Sequence, residues 1–308
     1  MSDERWLITG ALGCIGAWAC VQLVREGHAV VGFDLGTDRH RPELVMSPDE
    51  IEAVNYVHGD VTDLATVEAV LEREGITHVL HLAAMLVPLA AADPVRGAQV
   101  NVVGTVNVFE AAKRRGLPGV AYASSAAVYD RADGIRVTED ADGHPINHYG
   151  VHKQANEGAA RVYWRDEGLA SIGLRPHIVY GPGRDHGMTA GPTLAMVAAT
   201  QGEPYEIPFG GRAQFQYAPD AARRFIEAAR EAREGAVVRN LGGPPEHVAE
   251  VVEAIESILP QAAGTITFKE DHLLPLPEDM ESSRPVTTPL RDGVRETIEL
   301  VQAVGSRS

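Results

Sequence analysis

Only two cysteines, Cys14 and Cys20, occur in the 308 residues, so a secreted disulfide framework is not expected. On a helix their six-residue separation spans about 9 Å, beyond disulfide reach, and both read as small buried thiols. Basic residues are also scarce: 27 against 43 acids, for a formal charge of -16. Such a surface repels nucleic acid and anionic lipid, so neither is an expected partner. A local arginine or a helix N-terminus can still take an anionic ligand. No apolar run approaches the ~20 residues a membrane span requires. Met1 to Arg5 is polar, and Gly10, Gly13 and Gly16 interrupt the apolar stretch behind it. Neither a membrane helix nor a cleavable signal is read, and the expected location is the cytoplasm. What is present, 44% apolar and 23% charged residues, suits a soluble globular chain with a substantial core.

Trp6 to Thr9 reads as a short strand running into a glycine-rich turn. Ile15 to Glu26 carries helical spacing and stops at Gly27, and Ala29 to Phe33 is a second strand closing on Asp34. This is one βαβ unit. The alternation continues with strands at Val54–Val57, Thr77–Leu82, Val120–Ala123 and Ala170–Leu174, and helices at Leu64–Arg73, Val95–Arg115 and Tyr149–Glu167. The order predicts an α/β fold with a doubly wound parallel (Rossmann) sheet, whose ligands collect at the carboxyl ends of the strands. Beyond Arg175, glycine and proline become dense, and helical spacing returns at Pro219–Arg233, Val248–Ile258 and Arg291–Val301. Val237 to Leu241 is a further candidate strand. The expected organisation is a dinucleotide-binding domain over 1–175 that returns at about 213–242. A smaller, partly interleaved substrate lobe takes 176–212 and 243–308.

Gly10, Gly13 and Gly16 stand at G-x-x-G-x-x-G spacing between the first strand and the first helix. Their missing side chains let the backbone turn sharply and approach a pyrophosphate at a helix N-terminus. Asp34 ends the second strand 18 residues after Gly16, close to the usual ~20. An acid there accepts from the ribose hydroxyls and repels a 2′-phosphate, so NAD is expected over NADP. Arg39 and Arg41 would reach such a phosphate only if their loop folded back. Asp60 and Val61, after the third strand, are candidates to touch the adenine. Asp60 can also be read as a helix cap, although Thr62 or Asp63 is better placed.

Tyr149 and Lys153 fall at i and i+4, one helix face. A phenol titrates near 10, too high for base work at neutral pH, and a nearby ammonium favours phenolate. Ser124-Ser125 ends a strand at the sheet's carboxyl edge, where a hydroxyl can hold a substrate oxygen. A lone Tyr-x-x-x-Lys usually marks a solvated helix face. Behind a glycine turn and a serine-ended strand it reads as catalytic.

With these residues in place the chain resembles the extended short-chain dehydrogenases/reductases, the NAD-dependent epimerase/dehydratase family. The likeness is carried in order by Thr9-Gly10-x-x-Gly13-x-x-Gly16, Asp34, Gly59-Asp60-Val61, His81-Leu82-Ala83-Ala84, Asn101-Val102-x-Gly104-Thr105-x-Asn107, Ser124-Ser125-Ala126-Ala127-Val128-Tyr129, Tyr149-Gly150-x-x-Lys153 and Leu174-Arg175-Pro176 through Gly181-Pro182. It implies Tyr149 as acid/base, Lys153 as its partner and Ser125 as the hydroxyl that positions substrate. The cofactor set becomes Gly10, Gly13, Cys14, Ile15, Gly16, Asp34, Asp60, Val61, Leu82, Ala83, Ala84, Asn101 and Pro176, together with Tyr149 and Lys153. The substrate set is Met85, Ser125, Ala126, Tyr149, His177, Thr189 and Arg212. Family members commonly form homodimers through the helices matching Val95–Arg115 and Tyr149–Glu167.

Departures from the family pattern bear on the substrate. Ala126 and Ala127 stand where the sugar-nucleotide dehydratases carry Asp-Glu, so dehydration is not expected. Ile178 stands where many nucleotide-sugar epimerases have an Asn, and the usual Arg-Asp pair is missing around Gln214 to Tyr217, with Arg212 close by. A diphosphate would then be poorly paired. Met85-Leu86-Val87-Pro88 reads either as an apolar pocket wall or as plain loop packing. His148 and His152 have metal-ligand spacing but no completing ligand, so no metal is expected. The leading reading is hydride transfer at a secondary alcohol of a small, sugar-like or hydroxylated compound. A nucleotide-sugar 4-epimerase would use the same half-reaction. A non-catalytic NAD(H)-sensing protein is the rival of another class, disfavoured by the retained Tyr149 and Lys153.

Overall fold

The computed structural model describes residues 4–305; of the polar start, Met1 to Asp3 lies outside the described residues. The chain begins with β1 (Arg5–Thr9), α1 (Cys14–Arg25), β2 (Ala29–Asp34), α2 (His40–Val45), α3 (Pro48–Glu52), β3 (Val54–His58), α4 (Leu64–Arg73) and β4 (His78–His81). Then α5 (Val87–Ala92), α6 (Pro94–Ala98), one π-helical turn (Gln99–Val103) and α7 (Gly104–Arg114) lead to β5 (Gly119–Ala123). After the short β6 (Arg136–Val137) come α8 (His148–Glu167), β7 (Ala170–Pro176), β8 (Ile178–Tyr180), α9 (Gly191–Gln201) and β9 (Tyr205–Ile207). The chain continues through β10 (Arg212–Tyr217), α10 (Ala218–Glu231), β11 (Ala236–Leu241), β12 (Pro245–His247) and α11 (Val248–Ile258). It closes with β13 (Ile266–Phe268), β14 (Asp279–Met280) and α12 (Leu290–Gly305).

Seven parallel strands form the central sheet in the order β3-β2-β1-β4-β5-β7-β11. The order reverses between β1 and β4, the crevice where doubly wound sheets bind ligands. Helices cover both faces, which is why β1 is apolar at successive positions instead of alternate ones. Trp6 and Ile8 pack into the core under α1 and α10, and Leu7 into the opposite core with Val67, Val70 and Phe109 of α4 and α7. Local chemistry sets the helix ends. Asp63 caps α4, accepting from the backbone N–H of Ala65 and Thr66, and Asn147 caps α8 through Gly150. Gly168 ends α8 in a left-handed conformation, φ +68°, which glycine adopts without steric cost.

Two features differ from the sequence reading. The helical stretch from Val95 is interrupted by the π turn at Gln99–Val103, because an apolar pattern does not reveal one extra residue in a turn. The return to the cofactor lobe starts later than residue 213. β10 pairs with β8 in parallel and β12 antiparallel, and Ala213, Phe215 and Tyr217 pack in a second core with Ile178, Met196, Phe209, Val251 and Val294. Helix α10 belongs to the first core from Ala218 onward, and β11 is the strand that joins the main sheet beside β7. β14 pairs with β6 and ties the C-terminal segment to the first lobe. Among the described residues no helix is long and apolar enough to cross a membrane.

Candidate cofactor and catalytic site

A cleft of about 700 Å³ opens at the carboxyl ends of β1, β2, β4 and β5. Its floor is the glycine turn. Gly10 has φ +73°, and a Cβ there would meet Ala83 N at 2.7 Å. A Cβ on Gly16 would lie 2.1 Å from the Gly10 carbonyl oxygen. Both glycines are therefore required by close backbone approach. Gly13 precedes α1 without a side-chain cap, and no acid stands in the first turn. The helix thus directs uncapped amide donors and a positive dipole end into the cleft.

These residues fit a dinucleotide. The backbone at Gly10, Gly13, Cys14, Ile15 and Gly16 would hold a pyrophosphate, and Asp34 would meet the ribose. Its two oxygens take the Leu12 N–H at 3.0 Å and the Gly36 N–H at 2.9 Å, leaving lone pairs for ribose hydroxyls. Neither arginine that sequence left open for a 2′-phosphate is free: Arg39 stacks 4.6 Å over the Tyr56 ring, and Arg41 binds Asp185 and the Leu12 carbonyl. Asp60 lines the cleft beside Gly59 and Val61. Burial raises its carboxyl, but Arg96 at 2.6 Å and the Thr62 N–H outweigh this and hold it low.

The candidate catalytic trio comes from the segment just after β5 and from α8. Lys153, 2% exposed, donates to the Ala123 carbonyl at 2.7 Å. Its ammonium lies 5.4 Å from the Tyr149 ring centre. Burial pushes Lys153 down to about 8, with Glu157 opposing. The Tyr149 phenol is pushed up by burial, which exceeds the lowering by a Ser125 hydrogen bond and by Arg184. Ser125 also accepts the Ala127 N–H at 3.1 Å, fixing its hydroxyl at the strand end.

The cleft brings together Gly10, Gly13, Cys14, Ile15, Gly16, Asp34, Asp60, Val61, Leu82, Ala83, Ala84, Met85, Ser125, Ala126, Tyr149, Lys153, Pro176, His177 and Thr189. Two expected members lie elsewhere. Asn101 is fully buried behind the wall, its amide accepting the Met85 N–H at 2.7 Å and donating to the Met85 carbonyl at 2.9 Å. Arg212 is half-exposed at the start of β10, bonded to the Pro245 carbonyl and 3.8 Å from Glu250. Leu86, Val87 and Pro88 do line the cleft, as an apolar wall. Arg184, in the Gly-rich loop after β8, joins this set. It lines the cleft and donates to Thr189 at 3.1 Å, its Nε is buried without a partner, and no acid pairs with it among the described residues. An arginine in a Gly-rich loop after a strand was the only signal for it.

A strap crosses the pyrophosphate end. Cys14 and Trp18 donate to the Pro182 carbonyl at 3.7 and 3.0 Å. Asp185 is held by Arg41 at 2.7 Å and by His40 at 2.7 Å, and His40 also meets Asp38 at 2.8 Å. The segment carrying Arg184 is thus fastened to the cofactor lobe.

Fold and site together define an extended short-chain dehydrogenase/reductase. A profile of the NAD dependent epimerase/dehydratase family matches residues 6–242, and the chain belongs to that family. It is 35% identical over 182 residues to UDP-glucuronate 4-epimerase 3 of Arabidopsis thaliana, covering 57% of this chain and 42% of the relative. The aligned stretch thus spans less than half of that relative. Among solved structures, MoeE5 in complex with UDP-glucose and NAD has a TM-score of 0.78 at 27% identity, over 99% of this chain and 100% of that one. A partial consensus L-threonine 3-dehydrogenase has a TM-score of 0.84 at 24% identity, over 97% and 100%. The fold alone therefore does not choose between a nucleotide sugar and a small acid.

Two outcomes test the cradle and the strap. Gly16→Ala forces its Cβ onto the Gly10 carbonyl, and NADH fluorescence titration should show at least a tenfold loss of affinity; unchanged binding rejects the cradle. His40 is raised above its usual range, chiefly by Asp185. Its contribution to the strap is therefore complete below about 6.5 and lost as pH rises through the raised value. NADH should dissociate faster at about pH 8.5 than at about pH 6, on the two sides of the transition, and His40→Gln should flatten that difference. Parallel pH curves for the two proteins would show that the strap does not retain cofactor.

Proposed function

We propose that the protein oxidises, reversibly, a secondary alcohol of a small hydroxylated compound bearing a carboxylate, such as a sugar acid or hydroxy acid. The observation that carries this is the meeting of Ser125, Tyr149 and Lys153 at one wall of a dinucleotide-shaped cleft that is also lined by Arg184, which pairs with no acid among the described residues. Bound NAD⁺ supplies the hydride acceptor. Ser125 holds the substrate oxygen, and Tyr149 takes the hydroxyl proton as a positioned base. Lys153 places a positive charge beside the phenol, favouring its ionised form. Arg184 offers a planar fork to a carboxylate. The His177 Nε2–H donates to the Pro277 carbonyl at 2.8 Å, and burial pushes the ring down to about 4. Its buried, unpartnered Nδ1 is therefore an acceptor, suited to a substrate hydroxyl.

The 4-epimerase reading draws support from the names of the relatives and uses the same half-reaction. Against it, the positions that would bind a diphosphate are spent elsewhere. Ile178 is fully buried in the second core, and the Gln214 amide is used by Gly243, Asp279 and Met280. A non-catalytic sensor would have no need of the Ser125–Tyr149 contact.

We assign residues 1–175 with about 218–242 to the cofactor lobe and 176–217 with 243–308 to the substrate lobe, supported by the two cores. A homodimer completes the reading. Leu89, Val95 and Val103 of the α5–α7 stretch, and Val151 and Val162 of α8, are exposed apolar side chains on the segments through which family members pair. The sparse cysteine suits a reducing cytoplasm.

An NAD⁺-reduction screen over sugars, sugar acids, hydroxy acids and UDP-sugars tests the reaction. Tyr149→Phe should lower turnover on any hit by about 10²- to 10⁴-fold, and full activity would remove this mechanism. Arg184→Met should raise KM for an acid substrate about 10- to 100-fold, the loss of one charged hydrogen bond. Interconversion of UDP-sugars with no net NADH formed, read by product chromatography, would instead establish the epimerase reading. For assembly, Val95→Glu should sediment as monomer where the parent is dimeric; a parent that is itself monomeric ends the homodimer proposal.

A further inference from the structure

Glu157 stands one turn beyond Lys153 on α8 and is 2% exposed. Both of its oxygens are engaged. Oε1 accepts from the Ser124 hydroxyl at 2.5 Å and from Arg175 Nε at 2.8 Å, and Oε2 accepts from Arg175 at 2.7 Å. Arg175 also donates to the Glu139 carbonyl at 3.1 Å and to the Tyr129 hydroxyl. Ser124 is the residue between Ala123, whose carbonyl receives Lys153, and Ser125, which contacts Tyr149. Two bonds therefore run side by side and in opposite senses between α8 and the end of β5. Lys153 donates to the strand, and the strand donates to Glu157.

The charges around the ammonium give Glu157 a second role. Facing Lys153 are Tyr149, His152 and Glu157 from α8, His81 from β4 and, through Glu157, Arg175 from β7. Burial pushes His81 down to about 3 and also lowers His152, so both are neutral at pH 7. Burial raises the Tyr149 phenol, which is neutral as well. Glu157 is the one carboxylate in this group. An ammonium removed from water without a counter-charge tends to lose its proton.

We propose that Glu157 is a positioning residue, registering the helix that bears Tyr149 and Lys153 against the strand end that bears Ser125, with its carboxylate as the counter-charge of Lys153. This rests on the assignment of Tyr149 and Lys153 made above. Ser124 and Arg175 fix the carboxylate, and through it the lysine that the reaction needs in its charged form.

The chain has three lysines, Lys113, Lys153 and Lys269, so each ε-amine can be followed separately. Competitive acetylation with acetic anhydride between about pH 6 and 11, read by mass spectrometry, gives each lysine's midpoint, with Lys113 and Lys269 as references. In the wild type Lys153 should titrate below both references. Glu157→Gln should lower the Lys153 midpoint by a further ~1 pH unit or more and leave the references in place. Glu157→Asp, which keeps the charge, should recover most of the shift. Glu157→Gln orphans a buried guanidinium and can fail to fold. The Glu157→Gln/Arg175→Met pair removes both charges together and should show the same direction of shift. A Lys153 midpoint that stays at the wild-type value in whichever of these variants folds, checked by circular dichroism, overturns the proposal. The catalytic assignment fails separately: a fully active Lys153→Met removes the role of the lysine in the reaction, whatever the labelling shows.

Discussion

The bond from the Lys153 ammonium to the Ala123 carbonyl fixes where everything else can stand. It pins α8 to the carboxyl end of β5 at 2.7 Å, in the interior, where a charged hydrogen bond is stronger than in water and costly to leave unmade. With that distance set, Tyr149 falls one helical turn back along the same face. Ser125 falls two residues past Ala123, and phenol and hydroxyl meet at the mouth of the crevice between β1 and β4. The cost is desolvation, visible in the lowered lysine and the raised phenol. The site therefore holds a weak acid and a weak base away from their ordinary values, the condition under which proton transfer at neutral pH becomes responsive to a bound cation.

The substrate lobe is not a separate body laid beside this machinery. Pro182 and Asp185 are fastened to α1 and to the segment after β2, so the loop presenting Arg184 also covers the glycine turn. From the other side, β14 pairs with β6, and Leu274 and Leu276 reach the cleft from the C-terminal segment. Cofactor and substrate contacts thus share one set of loops.

The first lobe was legible because its signals are local. The glycine spacing, Asp34 at a strand end and the i, i+4 relation of Tyr149 and Lys153 are short-range consequences of backbone geometry. What escaped depends on contacts between distant residues. Arg41 meets Asp185 across 144 positions, and Arg175 finds Glu157 only because β7 runs beside β5. Asn101 was misplaced because the π turn seats its side chain on the Met85 backbone, and an apolar period does not report that extra residue. Arg212 was misplaced because β10 begins in the smaller sheet, where its guanidinium reaches Pro245.

In the proposed reaction the Tyr149 phenol exchanges the substrate proton, and a bound nicotinamide cation would bring it into range. Ultraviolet difference titration of tyrosinate, with and without NAD⁺ and with a Tyr149→Phe reference, addresses it directly. A tyrosinate signal with a midpoint well below the ordinary ~10, present only in the NAD⁺ complex and absent from Tyr149→Phe, is the expected result. A Tyr149 midpoint that stays above that value with NAD⁺ bound would contradict the account.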